Sequence, residues 1–170
     1  MTNAGSARAG SGDEAVRGRL ADLVAIEARI VDSLDRWGDS VRGHPEAAAT
    51  IARMRSTARS HRDALERRLD AISGQEGRRA SGPLLSLVPP TSASEALQRA
   101  AGAAAAAAFA YEAAYQTARL AHDSDTCDLL EIHLSGHAAT LADARRTLPP
   151  WRTHDARCRT PSPASCAAAG

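Results

Sequence analysis

Apolar residues recur along this chain at the three- and four-residue spacing of amphipathic helices. They do so in four segments, at about residues 13–42, 45–73, 93–121 and 125–148. No stretch alternates apolar and polar side chains with the two-residue period of a strand. The pattern therefore predicts an all-α chain of four helices, each with one buried face.

Capping and breaking residues set the ends of these predicted helices. Ser11–Glu14 and Ser92–Glu95 each match the capping box that opens a helix. Pro45 favours the start of the second helix, since proline is tolerated in the first turn. Asp123 supplies a cap before the fourth helix. We expect disorder outside the bundle of residues 13–149, in an N-terminal segment (1–12) and in a Pro- and Ser-rich tail (150–170).

The lengths of the connections predict how the helices are arranged. Short links join the first helix to the second and the third to the fourth, so each pair is expected to form an antiparallel hairpin. The middle link, from Gly74 to about Pro90, is long and rich in Gly and Pro. About 17 extended residues span roughly 55 Å, more than the ~42 Å of a 28-residue helix. The link can therefore cross the whole bundle, so that the second and third helices run parallel.

Ionisable residues interrupt the apolar face of each helix. Glu27 lies between Leu23 and Ile30, and His61 and His137 hold equivalent positions in the second and fourth helices. The third helix is rich in alanine, which marks no face clearly. One stripe, through Phe109, Glu112, Gln116 and Leu120, places Glu112 inward; a second stripe runs through Ala104, Ala108, Tyr111 and Tyr115. Two carboxylates and two imidazoles suit Fe, Mn or Zn. The alternative is a set of Glu–His pairs that satisfy one another without metal.

Distances along the helices place these four side chains at one level. Glu27 and His61 each lie 16 residues from the first hairpin turn, about 24 Å. Glu112 and His137 lie 11 and 12 residues from the second turn, about 17 Å. With the crossover the two turns are at opposite ends, and the distances sum to about one helix length. A simple up-down-up-down bundle would separate the four side chains by several ångströms.

This arrangement resembles the ferritin-like di-iron proteins, whose bundles use one Glu from each of two helices and Glu-x-x-His from the other two. The resemblance covers about residues 13–149 and implies Glu27 and Glu112 as single-Glu ligands, with His61 and His137 as the histidines. The motif glutamates are replaced here by Ala58 and Leu134. The run SHRDALERRL, from Ser60 to Leu69, is also similar to the second helix of a bacterial ferritin-like family of unknown function.

Several other polar residues are expected to be structural. The spacing predicts Tyr111 and Tyr115 in the core with their hydroxyls outward, and Glu131 and His133 on the surface. The cysteines, at positions 127, 158 and 166, form no zinc-type pair.

Composition narrows the class of protein further. The 170 residues suit one domain, and a net charge of +1 gives no reason to expect nucleic acid as a partner. Neither a secretory signal nor a membrane-spanning segment is apparent, so a cytoplasmic protein without membrane contact is expected.

Three functions remain open from the sequence. The first is a ferritin-like domain that binds a metal ion, with Fe, Mn or Zn as candidates, but lacks full di-iron oxidase chemistry. The second is a non-metal interaction module that forms a homodimer through its exposed faces. The third is a metal-dependent oxidase or hydroxylase with unusual ligands. The missing glutamates favour a non-enzymatic role.

Overall fold

The computed structural model describes residues 4–73 and 89–148, with side chains from Gly12 onward. Within these ranges the chain is entirely helical apart from its turns, as predicted, and contains no strand. Five helices follow one another: α1 (Ala4–Arg36), α2 (Gly38–Val41), α3 (Pro45–Ser73), α4 (Ala93–Leu120) and α5 (Ser124–Thr147). Residues 74–88 of the expected connection and the tail (150–170) lie outside the described residues.

The first predicted helix differs most from the structure. Helix α1 begins at Ala4 rather than at Asp13, so the expected capping box at Ser11–Glu14 lies inside a helix. The preceding residues contain no proline, and a capping box opens a helix only where the chain before it is not helical. At the other end, the predicted helix is interrupted after Arg36, and the short α2 follows Trp37. Gly38, a weak helix former, directly follows this break.

The other helix starts follow the predicted caps. The Ser92 side chain accepts a hydrogen bond from the Glu95 backbone N–H at 3.2 Å. The Glu95 carboxylate in turn accepts one from the backbone N–H of Thr91 at 2.7 Å. Asp123 accepts from the backbone N–H of Thr126 at 3.0 Å. The bonds from the N–H groups of Glu95 and Thr126 satisfy donors that the first turns of α4 and α5 leave without a helical partner.

Contacts between helix ends establish their directions. Ser40 donates to the backbone oxygen of Pro90 at 2.8 Å, so α4 begins near the turn from which α3 also begins. The hydroxyls of Thr50 and Thr147 lie 2.9 Å apart, which joins the start of α3 to the end of α5. The guanidinium of Arg68, near the end of α3, binds the Asp123 carboxylate at the start of α5. Helices α3 and α4 therefore run parallel, and α5 runs antiparallel to both.

The core lies along the bundle axis, where the four long helices meet. Leucines dominate on α1, whereas α4 contributes almost only alanine, which lets neighbouring backbones approach closely. Among the most deeply buried side chains are Leu20, Leu23, Leu34, Leu65, Leu97, Tyr111 and Leu130. Burying one such leucine stabilises the fold by about 1.5–3 kcal/mol. None of the described helices combines the length and the apolar character needed to cross a membrane.

Candidate metal centre

Glu27 is the centre of a buried polar cluster at mid-bundle. It lies on the face of α1 that carries Leu23 and Ile30, and its side chain is fully buried. Its Oε1 atom is 2.8 Å from the Tyr111 hydroxyl, 2.9 Å from His137 Nε2 and 3.3 Å from His61 Nδ1. Its Oε2 atom is also buried but has no hydrogen-bond partner among the described residues. An unpartnered buried carboxylate oxygen is costly and calls for a ligand.

The two histidines that face Glu27 come from α3 and α5. His61 and His137 are both buried, and their rings lie edge to face with centroids 4.9 Å apart. One ligand atom from each of Glu27, His61 and His137 can be chosen so that all three lie within 4.8 Å of one another. A carboxylate oxygen and two imidazole nitrogens thus converge on one point from three different helices.

Two further residues complete the cluster, and sequence reasoning placed neither there. Tyr111 is fully buried and its hydroxyl points inward to Glu27, contrary to the prediction of an outward hydroxyl. His133 is buried rather than on the surface; its Nδ1 lies 3.2 Å from the Tyr111 hydroxyl. The His133 ring also stacks on His61, with centroids 4.0 Å apart and planes at 14°. These contacts fix the orientation of both His61 and Glu27.

Gly136 makes room for His61. A Cβ atom at this position would lie 2.8 Å from His61 Nε2 and 3.0 Å from its Cε1. Separations that short are not tolerated between real atoms, and the ring is held by its stacking on His133. Glycine at position 136 is therefore a packing requirement of the cluster, although it weakens a helix interior by about 1 kcal/mol relative to alanine.

The electrostatics of the cluster favour an ionised carboxylate. Burial raises the pKa of Glu27, but hydrogen bonds from His137, His61 and Tyr111 outweigh it and hold the pKa at about 2. Burial and the Glu27 carboxylate raise the pKa of Tyr111, so its hydroxyl stays a donor. Burial, with a smaller contribution from His61, lowers the pKa of His133 to about 4 and keeps that ring neutral. The ionised Glu27 carboxylate therefore carries a negative charge on two buried oxygen atoms.

The structure brings together three of the four predicted ligands. Glu27, His61 and His137 meet at one level, as the distances along the helices predicted. The inward placement of Glu112 is wrong: its side chain is exposed, and its carboxylate accepts a hydrogen bond from Gln116 at 3.1 Å. Tyr111, the preceding residue, holds the buried position instead. Because alanine fits either face of a helix, the run before Tyr111 did not define the phase of α4.

Counting positions in steps of three and four along each helix identifies both residues that the sequence reasoning missed, His133 and Tyr111. The buried positions of α5 are Thr126, Leu130, His133, His137 and Ala144, in steps of four, three, four and seven. Leu134 and Leu141, which lie outside this row, are only partly buried. On α4 the same count from Ala104 reaches Ala107 and Tyr111, and it leaves Glu112 outside.

Cys127 plays no part in this cluster. Cys127 is a half-buried free thiol whose pKa is raised by burial. Positions 158 and 166 lie outside the described residues. Comparisons with protein-family models, with curated proteins and with solved structures find no match for this chain. The functional proposal therefore rests on the geometry of the described residues.

Proposed function

We propose that this protein is a ferritin-like four-helix bundle that holds a single divalent transition-metal ion, with Glu27, His61 and His137 as its ligands. The observation that carries the proposal is the buried Glu27 carboxylate. Two imidazole nitrogens converge on its Oε1, while its Oε2 has no partner among the described residues. A metal ion bound by these groups would remove the cost of that unpartnered oxygen.

The separations of the candidate ligand atoms support a fit. Metal–ligand bonds of about 2.0–2.1 Å in tetrahedral geometry place neighbouring ligand atoms roughly 3.3 Å apart. Glu27 Oε1 lies 3.3 Å from His61 Nδ1 and 2.9 Å from His137 Nε2, so these two separations are close to that value. Two imidazoles and one carboxylate with open positions are typical of mononuclear iron and zinc sites.

The helix directions support the ferritin-like part of the proposal. Helices α3 and α4 begin at the same end of the bundle, as the contact between Ser40 and Pro90 requires. A chain that folds as two antiparallel hairpins with parallel second and third long helices has the connectivity of ferritin-like bundles.

The donor set supports one ion rather than two. The bridging carboxylates of a di-iron site would come from the positions of Ala58 and Leu134, neither of which can bind metal. Glu112 is exposed and faces away from the cluster. With a single carboxylate, the site lacks the bridges that hold two irons together, so we do not assign it di-iron oxidase chemistry. The same deficit weighs against the oxidase or hydroxylase alternative in its di-iron form.

Metal analysis of protein purified without chelators tests this function. We expect about one equivalent of Fe, Mn or Zn, or stoichiometric uptake of Co²⁺ by the metal-free protein. A free metal ion at 100 times its Kd should add about 2.7 kcal/mol to the free energy of unfolding. His61→Ala and His137→Ala should lose binding, and His44→Ala, at an exposed histidine, should retain it. Absence of bound metal together with unchanged stability on metal addition would overturn the proposal.

A second candidate function, self-association, is favoured by one exposed side chain. Phe109 on α4 is 80% exposed beside an apolar groove formed with Ile26 and Ile30 of α1. If two copies pack α4 against α4 antiparallel about Ala105 and Ala106, Phe109 of one copy lies over Gly102 of the other. Space is available there, since a Cβ at Gly102 would meet nothing within 4 Å.

Light scattering over a range of concentrations tests the homodimer. We expect a dimer that Phe109→Glu converts to a monomer, because a charge would replace the central apolar contact. Ile132→Glu is the control, since Ile132 is a large exposed residue on α5. A monomeric wild-type protein at high concentration would contradict self-association without affecting the metal site.

A further inference from the structure

Tyr111 makes the shortest hydrogen bond to Glu27 in the buried cluster. Its hydroxyl oxygen lies 2.8 Å from Glu27 Oε1, compared with 2.9 Å for His137 Nε2 and 3.3 Å for His61 Nδ1. The Tyr111 ring centroid is 5.0 Å from that of His137 and 6.1 Å from that of His61. The phenol oxygen is therefore placed around Glu27 Oε1 in the same way as the two imidazole nitrogens, and it comes from a fourth helix, α4.

The packing around the cluster favours a fourth ligand from the chain itself. Toward the α4–α5 turn, the His133 ring stacks on His61 with centroids 4.0 Å apart. Toward the end where α3 begins, His137 adjoins a gap of about 10 Å³ whose lining, which includes Ile30 and Met54, is largely apolar. That volume is at the lower limit for one water molecule, which would also need several polar partners. Solvent is therefore a poor source of a further ligand.

The charge of the centre also favours a second anionic ligand. A divalent ion bound by one carboxylate and two neutral imidazoles keeps one unit of positive charge in the core, which is costly away from water. An ionised Tyr111 makes the centre neutral. Without metal, burial and the Glu27 carboxylate raise the pKa of Tyr111. A bound cation acts in the opposite direction, because it attracts the phenolate.

A hydrogen-bond donor is already directed at the Tyr111 oxygen. His133 Nδ1 lies 3.2 Å from this oxygen. The hydroxyl has one proton, which it donates to Glu27, so the proton of the second contact must be on His133 Nδ1. A donor in this position stabilises the ionised form of the oxygen. His133 is therefore placed to support a phenolate at Tyr111.

We propose that Tyr111 is the fourth ligand of the metal centre and binds the ion as a phenolate, with its proton released to solvent. The inference rests on the proposed metal function and adds a ligand to Glu27, His61 and His137. Tyrosinate is known as an iron ligand in haem proteins. Four ligands from the chain close a tetrahedral site, as in structural metal centres. The ion then joins all four long helices, and its coordination is complete without a substrate.

Ultraviolet difference spectroscopy of Zn²⁺ binding at neutral pH tests this ligand. Tyr111 and Tyr115 are the two tyrosines of the chain, so Tyr115→Phe leaves Tyr111 as the sole source of a tyrosinate signal. We expect Zn²⁺ to produce the difference spectrum of ionised tyrosine, with saturation, in the wild type and in Tyr115→Phe alike. Tyr111→Phe should lose this spectrum and release about one proton fewer per bound ion. Its Zn²⁺ affinity should be at least about tenfold lower.

The Tyr115→Phe variant keeps the test decisive if Tyr111→Phe fails to fold, because the Tyr115 hydroxyl bonds to the exposed Glu131. If neither Zn²⁺ nor Co²⁺ binds to the wild type, the metal function itself fails. If Zn²⁺ binds but Tyr115→Phe shows no tyrosinate spectrum, the metal function stands and this inference is overturned. The same conclusion follows if Tyr111→Phe folds and binds Zn²⁺ as tightly as the wild type.

Discussion

The Tyr111 hydroxyl donates a 2.8 Å hydrogen bond to Glu27 Oε1, joining α4 to α1 across 84 residues of sequence. The same hydroxyl oxygen lies 3.2 Å from His133 Nδ1. One oxygen atom therefore links a carboxylate on α1 to an imidazole on α5. A buried network of this kind is stable only if its members are satisfied. The mid-bundle layer is therefore held by polar contacts in a core made otherwise of leucine and alanine.

Removing this hydroxyl should destabilise the protein. Tyr111→Phe leaves His133 Nδ1 without its partner and takes one donor from Glu27, which we expect to cost about 1–3 kcal/mol. Urea unfolding of the metal-free protein measures the change. Tyr115→Phe is the matched control, because the Tyr115 hydroxyl bonds to the exposed Glu131 at 2.6 Å. Its cost should stay below about 1 kcal/mol. Equal costs for the two variants would contradict the buried network.

Neutralising Glu27 should affect both stability and metal binding. In Glu27→Gln, the amide nitrogen replaces one oxygen and lacks an acceptor in the cluster, so we expect a cost of roughly 1–3 kcal/mol. Loss of a hydrogen-bond partner of a metal ligand can lower metal affinity by roughly 100-fold. Because Glu27→Gln removes a ligand itself, we expect the affinity to fall by at least that factor. Isothermal titration with Co²⁺ measures this. Glu112→Gln should leave stability within about 0.5 kcal/mol of wild type, because Glu112 is exposed.

Helix positions were predictable where the chain carries strong local signals. The bounds of α3 were predicted at 45–73 and agree with the structure, because proline and glycine flank that segment. The caps at Ser92 and Asp123 likewise set the starts of α4 and α5. These signals are local, since a cap acts on backbone groups within its own first turn.

The candidate site was only partly predictable because it depends on helix phase. Glu27 stands among leucines and isoleucine, so its buried face was unambiguous. Tyr111 and Glu112 follow a run of alanines, whose small side chains are compatible with either face of a helix. The prediction that Glu112, rather than the adjacent Tyr111, faces the cluster was therefore wrong. The contacts that decide it, from Tyr111 to Glu27 and to His133, are formed between helices. They depend on packing distances that periodicity along one helix does not contain.

Stability should decrease as the pH falls below neutral, in two steps. His133 has a folded-state pKa of about 4 against an ordinary 6.5. Between these values the unfolded chain binds more protons, so the contribution of His133 is complete above pH 6.5 and is lost toward pH 4. Glu27 has a pKa of about 2 against 4.5, so its contribution is lost only below pH 4.5. Each step is expected to amount to roughly 3–3.5 kcal/mol.

Urea unfolding of metal-free protein between about pH 7 and pH 4.5 isolates the first step. His133→Gln should flatten the dependence in this range, since the titrating group is gone. His44→Gln, at an exposed histidine, should leave the slope of the wild type unchanged. If the free energy of unfolding of His133→Gln still falls with pH in this range, the pH dependence arises from other groups.

Two glycine-to-alanine substitutions should have opposite effects. Alanine in a helix interior is favoured over glycine by about 1 kcal/mol. At Gly102 the added Cβ meets nothing within 4 Å, so Gly102→Ala should stabilise the protein by roughly that amount. At Gly136 the Cβ would lie 2.8 Å from His61 Nε2, and the stacked ring must move. Overpacking of this kind costs about 1–3 kcal/mol, which offsets or exceeds the gain in helix propensity.

The same pair also separates the metal centre from general packing. Because Gly136→Ala displaces a ligand ring, we expect it to weaken Co²⁺ binding by about tenfold or more, whereas Gly102→Ala should leave binding unchanged. Thermal unfolding with and without Co²⁺ gives both quantities for each variant. If Gly136→Ala bound Co²⁺ as tightly as wild type and were equally stabilised, His61 could not be a ligand held in place by the space at Gly136.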